Sequence, residues 1–361
     1  MTLPFKNDDD ILRREVANVL AERRALGLNG LVGGLEAVII NTEHDRQRQA
    51  VQELLDTTGY AFAAAFEEHT NITCTLQQEG SPDILVTSRK ELENPFRAFN
   101  EHPKSGHLPN TRLETFVFKC PQIEKFVDIQ KSRGVRFLTS EIVETDKYLF
   151  IQTEPSAYTG NSIGYIKWLE DEGDYAWEGC APLHWIFHKP DKPYLKHVFE
   201  LDHTATRVRA EERDLAILEF LRLTNYGFDF AIYVETLNSI TSVARLSKDD
   251  YAQVFTSGIE PFKGVGQSGP TEMYIHNYGT RVHHMAFRTE HINETFRALK
   301  ADGMEFLVEL VGSPDEGLQQ TFTKGLPSTF IVNEYIQRYG DFDGFFTRSN
   351  VTLLTKATEK Q

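Results

Sequence analysis

Apolar and polar positions along the chain switch between a helical and a strand period, and the switching recurs four times. From about residue 10 to residue 28, Ile11, Leu12, Val16, Val19 and Leu20 recur at helical spacing and predict an amphipathic lead-in helix. The glycine-rich stretch at residues 29–34 ends it. GLEAVIINT then predicts a strand, followed by a helical stretch through Gln52 to Leu55 and short strands at 60–67, 71–76 and 83–88. The β-α-β-β-β order returns from Arg112, with a helix at 122–133 and strands near Phe137, 148–153 and 162–168. It returns from His197, with a helix at 211–222 and strands at 228–234, 239–246 and 251–257. A fourth unit starts at Arg281, with a helix at 292–300 and strands near Phe306, 318–323 and 329–338. This pattern predicts an α+β chain of four βαβββ modules in two pairs. The acid-, Pro- and Gly-rich stretch at 170–193 reads as the connection, and the tail from Gly340 as a phenylalanine-bearing loop plus a closing helix over 353–360.

Two of the modules are alike in sequence as well as in pattern. RLETFVFKCPQIEKFVDIQKSRGVRFL (Arg112 to Leu138) matches RVHHMAFRTEHINETFRALKADGMEFL (Arg281 to Leu307) at a constant offset of 169, given by 281 − 112 and 307 − 138. Arg112 matches Arg281, Phe118 matches Phe287, Ile123 matches Ile292, Gly134 matches Gly303 and Phe137 matches Phe306. Such self-similarity implies an internal duplication. The copies part company where Thr115 stands opposite His284.

Composition narrows the field. A length of 361 residues suggests two domains, and 40% hydrophobic with 25% charged residues is ordinary globular usage. The net charge of −15 and the lack of any long basic run argue against a nucleic-acid partner. Cys74, Cys120 and Cys180 lie far apart and form no CxxC or zinc spacing, which fits a reduced, cytoplasmic setting. The polar, acidic N-terminus is unlike a signal peptide, and apolar runs such as 37–40 are too short to cross a bilayer. An exposed sheet edge in the N-terminal half would suit a homo-oligomer.

Three residues on three separate strands of the second half carry metal-ligand chemistry: His203 in FELDHTA, His284 in VHHMAF and Glu334 in FIVNEYIQR. Separations of 81 (284 − 203) and 50 (334 − 284) mean they meet only if the fold brings their strands together. Two imidazoles and one carboxylate leave open positions on a metal, the arrangement of non-haem Fe(II) oxygenases. A single strand histidine is more often a hydrogen-bonded core residue. Here the offset of 169 puts Tyr165 opposite Glu334, and an offset of 168 puts Leu35 opposite His203, so the first half is blank at all three positions. Strand neighbours face opposite sides, so only one of His283 and His284 can point at a metal. His184 and His188, in a Pro-rich setting, read as structural.

The second half resembles the 4-hydroxyphenylpyruvate dioxygenase and 4-hydroxymandelate synthase family of the vicinal-oxygen-chelate superfamily. The resemblance rests on LDH ending at His203, VHHMAF around His284, GLQQTFTK (317–324) and NEYIQRYGDFDGFF (333–346). It implies paired glyoxalase-like open barrels: a lead-in helix (1–30), a metal-free domain (31–169), a connection (170–195) and a catalytic domain with a closing lid helix (196–361). It implies Fe(II) on His203, His284 and Glu334, choosing His284 over His283. It implies a decarboxylating dioxygenase whose 2-oxo acid chelates the iron beside O₂ and is itself oxidised, with 4-hydroxyphenylpyruvate as the default substrate. The alternatives are side-chain hydroxylation to a hydroxy acid one carbon shorter, an aliphatic 2-oxo acid, and a small-molecule-binding module without catalysis.

The resemblance also places pocket residues. Gln320 and Phe322 match a pocket glutamine and a stacking phenylalanine and are expected to serve catalysis; Phe346, Asn350 and Ser242 match substrate-pocket positions. Departures occur at Val351, Ile259 and Val332, where the family usually has phenylalanine, asparagine and phenylalanine, and at His283, where it usually has glutamine. These positions are expected to line the substrate pocket, with fewer groups for a phenol. Phe345, Phe346 and the closing helix are expected to shut the site against water.

Overall fold

The computed structural model describes residues 5–90, 93–340, 342 and 344–361. Asp341 and Asp343 of the NEYIQRYGDFDGFF motif, and the first four residues of the lead-in segment, lie outside the described residues. The lead-in helix α1 (Asp9–Ala25) is capped by the Asp8 carboxylate, which accepts from the Asp10 amide. It buries Leu12, Val16 and Val19, while Ile11 faces solvent.

The first unit is β1 (Leu35–Asn41), α2 (Gln47–Thr57), β2 (Ala61–Glu67), β3 (Asn71–Gln77) and β4 (Asp83–Arg89). The second is β5 (Arg112–Lys119), α3 (Ile123–Ser132), β6 (Val143–Glu144), β7 (Tyr148–Gln152) and β8 (Ser162–Trp168), after which β9 (Ala181–Pro182) adds to the edge of β2. The third is β10 (Val198–Arg207), α4 (Arg213–Leu223), β11 (Gly227–Val234), β12 (Ser239–Arg245) and β13 (Ala252–Ser257), followed by α5 (Pro270–Tyr278). The fourth is β14 (Arg281–Thr289), α6 (Ile292–Ala301), β15 (Val311–Ser313), β16 (Leu318–Gly325) and β17 (Val332–Arg338), closed by α7 (Arg348–Ala357).

Two curled sheets result, ordered β6-β7-β8-β5-β1-β4-β3-β2-β9 and β11-β12-β13-β10-β14-β17-β16-β15. Both follow one plan. The first strands of paired units run antiparallel, β1 with β5 and β10 with β14. Each also lies parallel to the last strand of its own unit, β1 with β4, β5 with β8, β10 with β13 and β14 with β17. This is the α+β architecture of four units in two pairs expected from the pattern.

Four elements differ from the expectation. The strands expected near Phe137 and Phe306 are single bridges, to Thr153 and Thr323, and the short pairing strands are β6 and β15 instead. Helix α5 occupies a stretch for which the pattern predicted no element. Helix α7 begins five residues before 353, because the Thr347 hydroxyl accepts the Asn350 amide and starts it there.

Sheet register also corrects the comparison between halves. At the offset of 169, Val117 corresponds to Ala286 (286 − 117). Ala286 faces His203 on one side and Glu334 on the other, whereas Val117 faces Ala37 and Gly164. The blank positions opposite the two ligands are therefore Ala37 and Gly164, not Leu35 and Tyr165. Tyr165 is one residue out of phase and donates its hydroxyl to the Leu223 carbonyl in the core between the sheets. A Cβ on Gly164 would sit 3.1 Å from Phe150 and Thr115, so the first sheet is filled where the second carries ligands.

Candidate metal centre

His203, His284 and Glu334 project from β10, β14 and β17, three adjacent strands of the second sheet. All three are buried, and their ligand atoms lie within 4.8 Å of one another. Glu334 Oε2 is 3.1 Å from His203 Nε2 and 3.2 Å from His284 Nε2, so one oxygen and two imidazole nitrogens converge.

Each ligand is oriented from behind. The register of β10 against β14 slips between Leu201 and His203, a bulge that leaves Asp202 as the extra residue and brings its carboxylate onto the neighbouring ring. Asp202 Oδ1 lies 2.6 Å from His203 Nδ1, which holds the proton there and leaves Nε2 to bind. Arg338 clamps the same carboxylate at 2.5 and 3.1 Å. Burial alone would raise Asp202, but Arg338 and His203 hold it far below the usual carboxylate range. Burial would likewise depress His203, yet Glu334 and Asp202 outweigh it and lift the imidazole to about 9 when no metal competes with the proton.

The His284 tautomer follows from a relay. His283 Nε2 lies 2.8 Å from Gln361 Oε1, an acceptor, so that nitrogen carries hydrogen. His283 Nδ1 then has only a lone pair, and it lies 2.8 Å from His284 Nδ1, which must donate. His284 Nε2 is left unprotonated and directed at Glu334. Burial, with neighbouring positive charge, pushes both imidazoles well below the ordinary range and keeps them neutral.

Glu334 Oε1 accepts a 2.5 Å bond from Gln320 Nε2, and Gln320 Oε1 accepts from Asn350 Nδ2 at 2.9 Å. The first contact of α7 with the centre thus runs through a side-chain amide chain. Phe322 lies across β16–β17 from Glu334, with its ring 4.8 Å from that of His284. Phe345 and Phe346 cover His203 at 5.3 and 5.2 Å.

The donor set fits a metal. His203 Nε2 is buried and faces the other candidate ligand, Glu334 Oε2, at 3.1 Å without hydrogen-bond geometry, where a hydrogen-bonded core histidine would have a well-aligned partner. Two imidazoles and a carboxylate suit a borderline first-row divalent ion and leave coordination positions open on the side of a small cavity of about 40 Å³.

That cavity is lined by His284, Glu334, Gln320, Phe322, Phe346 and Val351 of the residues singled out in the sequence. Asn350 is one bond away, through Gln320. Val332 is fully buried beside it, opposite His284 in the strand register. Two expected residues are elsewhere. Ser242 faces the other side of β12 and accepts from Arg213 Nε at 3.0 Å, since strand alternation gives the cavity side to Thr241. Ile259 lies in the loop after β13, its amide bonded to Asn238 and its carbonyl to the Asn7 amide. The sequence reading missed Arg207, Thr241, Val254 and Thr256, which line the cavity from β10, β12 and β13. The even spacing of His203 and Arg207 on one strand was the available signal.

No family model matches the sequence, and neither does any curated protein. Among solved structures, a mutant of 4-hydroxymandelate synthase from Streptomyces coelicolor is similar over 91% of this chain and 98% of its own, with a TM-score of 0.69 and 17% identity. A xylose isomerase-like TIM barrel/4-hydroxyphenylpyruvate dioxygenase fusion protein is similar over 91% of this chain and 52% of its own, with a TM-score of 0.61 and 14% identity. The chain thus spans about half of the fusion protein, and at these identities what it shares with both is the fold.

Proposed function

We propose that this protein is an Fe(II)-dependent, decarboxylating dioxygenase of a 2-oxo acid. The observation that carries the reading is the buried convergence of two imidazole nitrogens, of His203 and His284, on one carboxylate oxygen of Glu334. Both similar structures bear names of enzymes on aromatic substrates of this kind, which supports 4-hydroxyphenylpyruvate as the first substrate to try. Bound at these residues, Fe(II) would supply the one-electron chemistry toward O₂ that side chains lack, together with open positions for a chelating oxo acid.

The chain's own residues supply orientation and dryness. Asp202 and the His283–Gln361 relay fix the two imidazole tautomers. Gln320 occupies the second oxygen of Glu334, so the carboxylate offers a single oxygen to the metal. Phe322, Phe345 and Phe346 exclude water around the imidazoles, and Val351 and Leu354 of α7 close the cavity over the open side. No metal-independent binding module needs three mutually oriented ligand atoms, so metal analysis separates that alternative.

The test is O₂ consumption by Fe(II)-loaded protein against a panel of 2-oxo acids, with products identified by mass spectrometry. Turnover coupled to CO₂ release is expected, and Glu334→Ala should abolish it while losing iron. Absence of O₂ uptake with every acid, or an active Glu334→Ala variant, would refute the proposal. A second reading, hydroxylation next to the lost carboxyl to give a hydroxy acid one carbon shorter, is favoured by the near-complete overlap with the 4-hydroxymandelate synthase structure. Product mass and fragmentation distinguish it from ring hydroxylation.

A further inference from the structure

The cavity has a second polar end, away from the ligands. Arg207 on β10 pairs in register with Thr256 on β13, and Thr256 pairs with Thr241 on β12, so the three stand in a row across the sheet. All three line the cavity that His284 and Glu334 also line. Arg207 shares its strand face with His203, four residues and about 13 Å of strand away.

Arg207 is a buried cation short of partners. It is 3% exposed. Nη1 donates to the neutral Thr271 hydroxyl at 2.6 Å, and the guanidinium lies 5.5 Å over the Tyr274 ring. Nε has no partner, and neither has Thr256 Oγ1 beside it. Among the described residues no carboxylate pairs with it. The nearby Glu272 turns its Oε1 to the amides of Ala210 and Gly258 instead. Arg213, by contrast, is equally buried but held by Asp9 and Asp214. An unpaired buried charge is costly, and leaving donors unmade adds to the cost. An anion delivered by a ligand removes both.

We propose that Arg207, with Thr256 and Thr241, binds a second carboxylate at the far end of the substrate, making the substrate a dicarboxylic 2-oxo acid. The inference rests on the reading of the site as a 2-oxo acid oxygenase and narrows its substrate class. The oxo-acid end would face His284 and Glu334 and the distal carboxylate Arg207, with Val254, Val351 and Leu354 among the apolar residues that line the same cavity.

The test compares matched pairs by anaerobic titration calorimetry on the Fe(II)-loaded protein: 2-oxoglutarate against 2-oxopentanoate, and 2-oxoadipate against 2-oxohexanoate. The better diacid should bind at least about tenfold tighter than its monoacid, the scale of a charge-assisted hydrogen bond. Arg207→Gln should bring that ratio to about one, and Arg207→Lys should restore part of it. Thr256→Val, which leaves the buried cation in place, should lower the ratio severalfold and stands in if Arg207→Gln does not fold. Equal binding of diacid and monoacid by the wild-type protein overturns the inference, as does a preference that survives Arg207→Gln. Tighter binding of 4-hydroxyphenylpyruvate than of either diacid also overturns it. The pairs are repeated on metal-free protein beside an iron-binding measurement. A chain that takes no iron yet prefers the diacid through Arg207 sinks only the oxygenase reading; one that takes iron and turns over monoacids equally well sinks only the Arg207 inference.

Discussion

At the scale of single residues, the centre is a set of ligands whose protons have been placed by their neighbours. Asp202 and His283 touch no metal position, yet each decides which nitrogen of a ligand is free. Asp202→Asn replaces the carboxylate that holds His203 Nδ1–H and weakens the grip of Arg338. His283→Phe removes the acceptor of His284 Nδ1–H. Each variant should fold and lose roughly 10- to 100-fold in Fe(II) affinity, read by competition with a chelator. Unchanged affinity in both would mean that the orienting contacts do not matter. His203, Glu334 and the His283–His284 pair stood out in the sequence because polar residues on three strands, blank in the other half, have few structural explanations; only the family resemblance chose His284 within the pair. Asp202 stood in the same LDH motif, but nothing in the spacing announced the bulge that turns it onto its neighbour. Thr256 and Thr241 were not legible, because their adjacency to Arg207 is a matter of strand register and not of sequence distance; for Arg207 the even spacing from His203 was a signal. Ser242 was placed one residue out of phase for the same reason: a slip of one exchanges the two faces of a strand.

At the scale of elements, the long amphipathic helices and the strands with clean alternation were readable, and the short or glycine-bounded ones were not. Strands β6 and β15 have two and three residues, too few to show a period. Helix α5 sits between Gly258, Pro261, Gly264, Gly266 and Gly269 on one side and Gly279 on the other, a composition that reads as loop. Its Glu272 nevertheless ties it to the sheet, accepting the Ala210 and Gly258 amides through Oε1 at 3.0 and 3.1 Å. Burial pushes that carboxyl up to about 7. A folded-state value above the unfolded one means the native protein holds the proton longer. Stability contributed by the neutral form is therefore complete below about pH 4.5 and is lost as the pH rises through 7. The loss is roughly 3 kcal/mol as an upper figure. Glu272→Gln keeps the accepting oxygen and removes the titration. The difference in urea-unfolding free energy between the variant and the wild type should grow in favour of the variant from pH 4.5 to 7 and then level off. A difference independent of pH would show that Glu272 titrates in the fold as it does in the unfolded chain.

At the scale of the whole molecule, one ligand-bearing sheet is built against one that holds none, and the packing makes them a single body. The largest apolar cluster draws residues from both halves, Leu54 of α2 and Phe118 of β5 together with Phe220 of α4 and Phe287 of β14. Polar contacts cross as well: Asn333 and Tyr335, flanking Glu334 on β17, bond to the Thr57 hydroxyl and carbonyl at the end of α2. Tyr165 reaches the Leu223 carbonyl, and Arg23 of α1 reaches the carbonyls of Leu221, Thr224 and Tyr226. The strand that holds the carboxylate ligand is thus seated on the first half, which gives that half a role although Ala37, Thr115 and Gly164 leave it without ligands. Unfolding of either sheet exposes the other, so heat should melt the protein in one transition. Binding of Fe(II) to the folded state alone then stabilises all 361 residues together. At a free concentration of about 100 times Kd, the gain is about 2.7 kcal/mol, which over a chain of this size moves Tm by roughly 2–4 °C. Differential scanning calorimetry under argon should show that upward shift of a single peak, its reversal by a chelator and its absence in His203→Ala. Two peaks, of which iron moves only one, would show that the halves unfold independently and that the Thr57 contacts do not couple the metal centre to the first sheet.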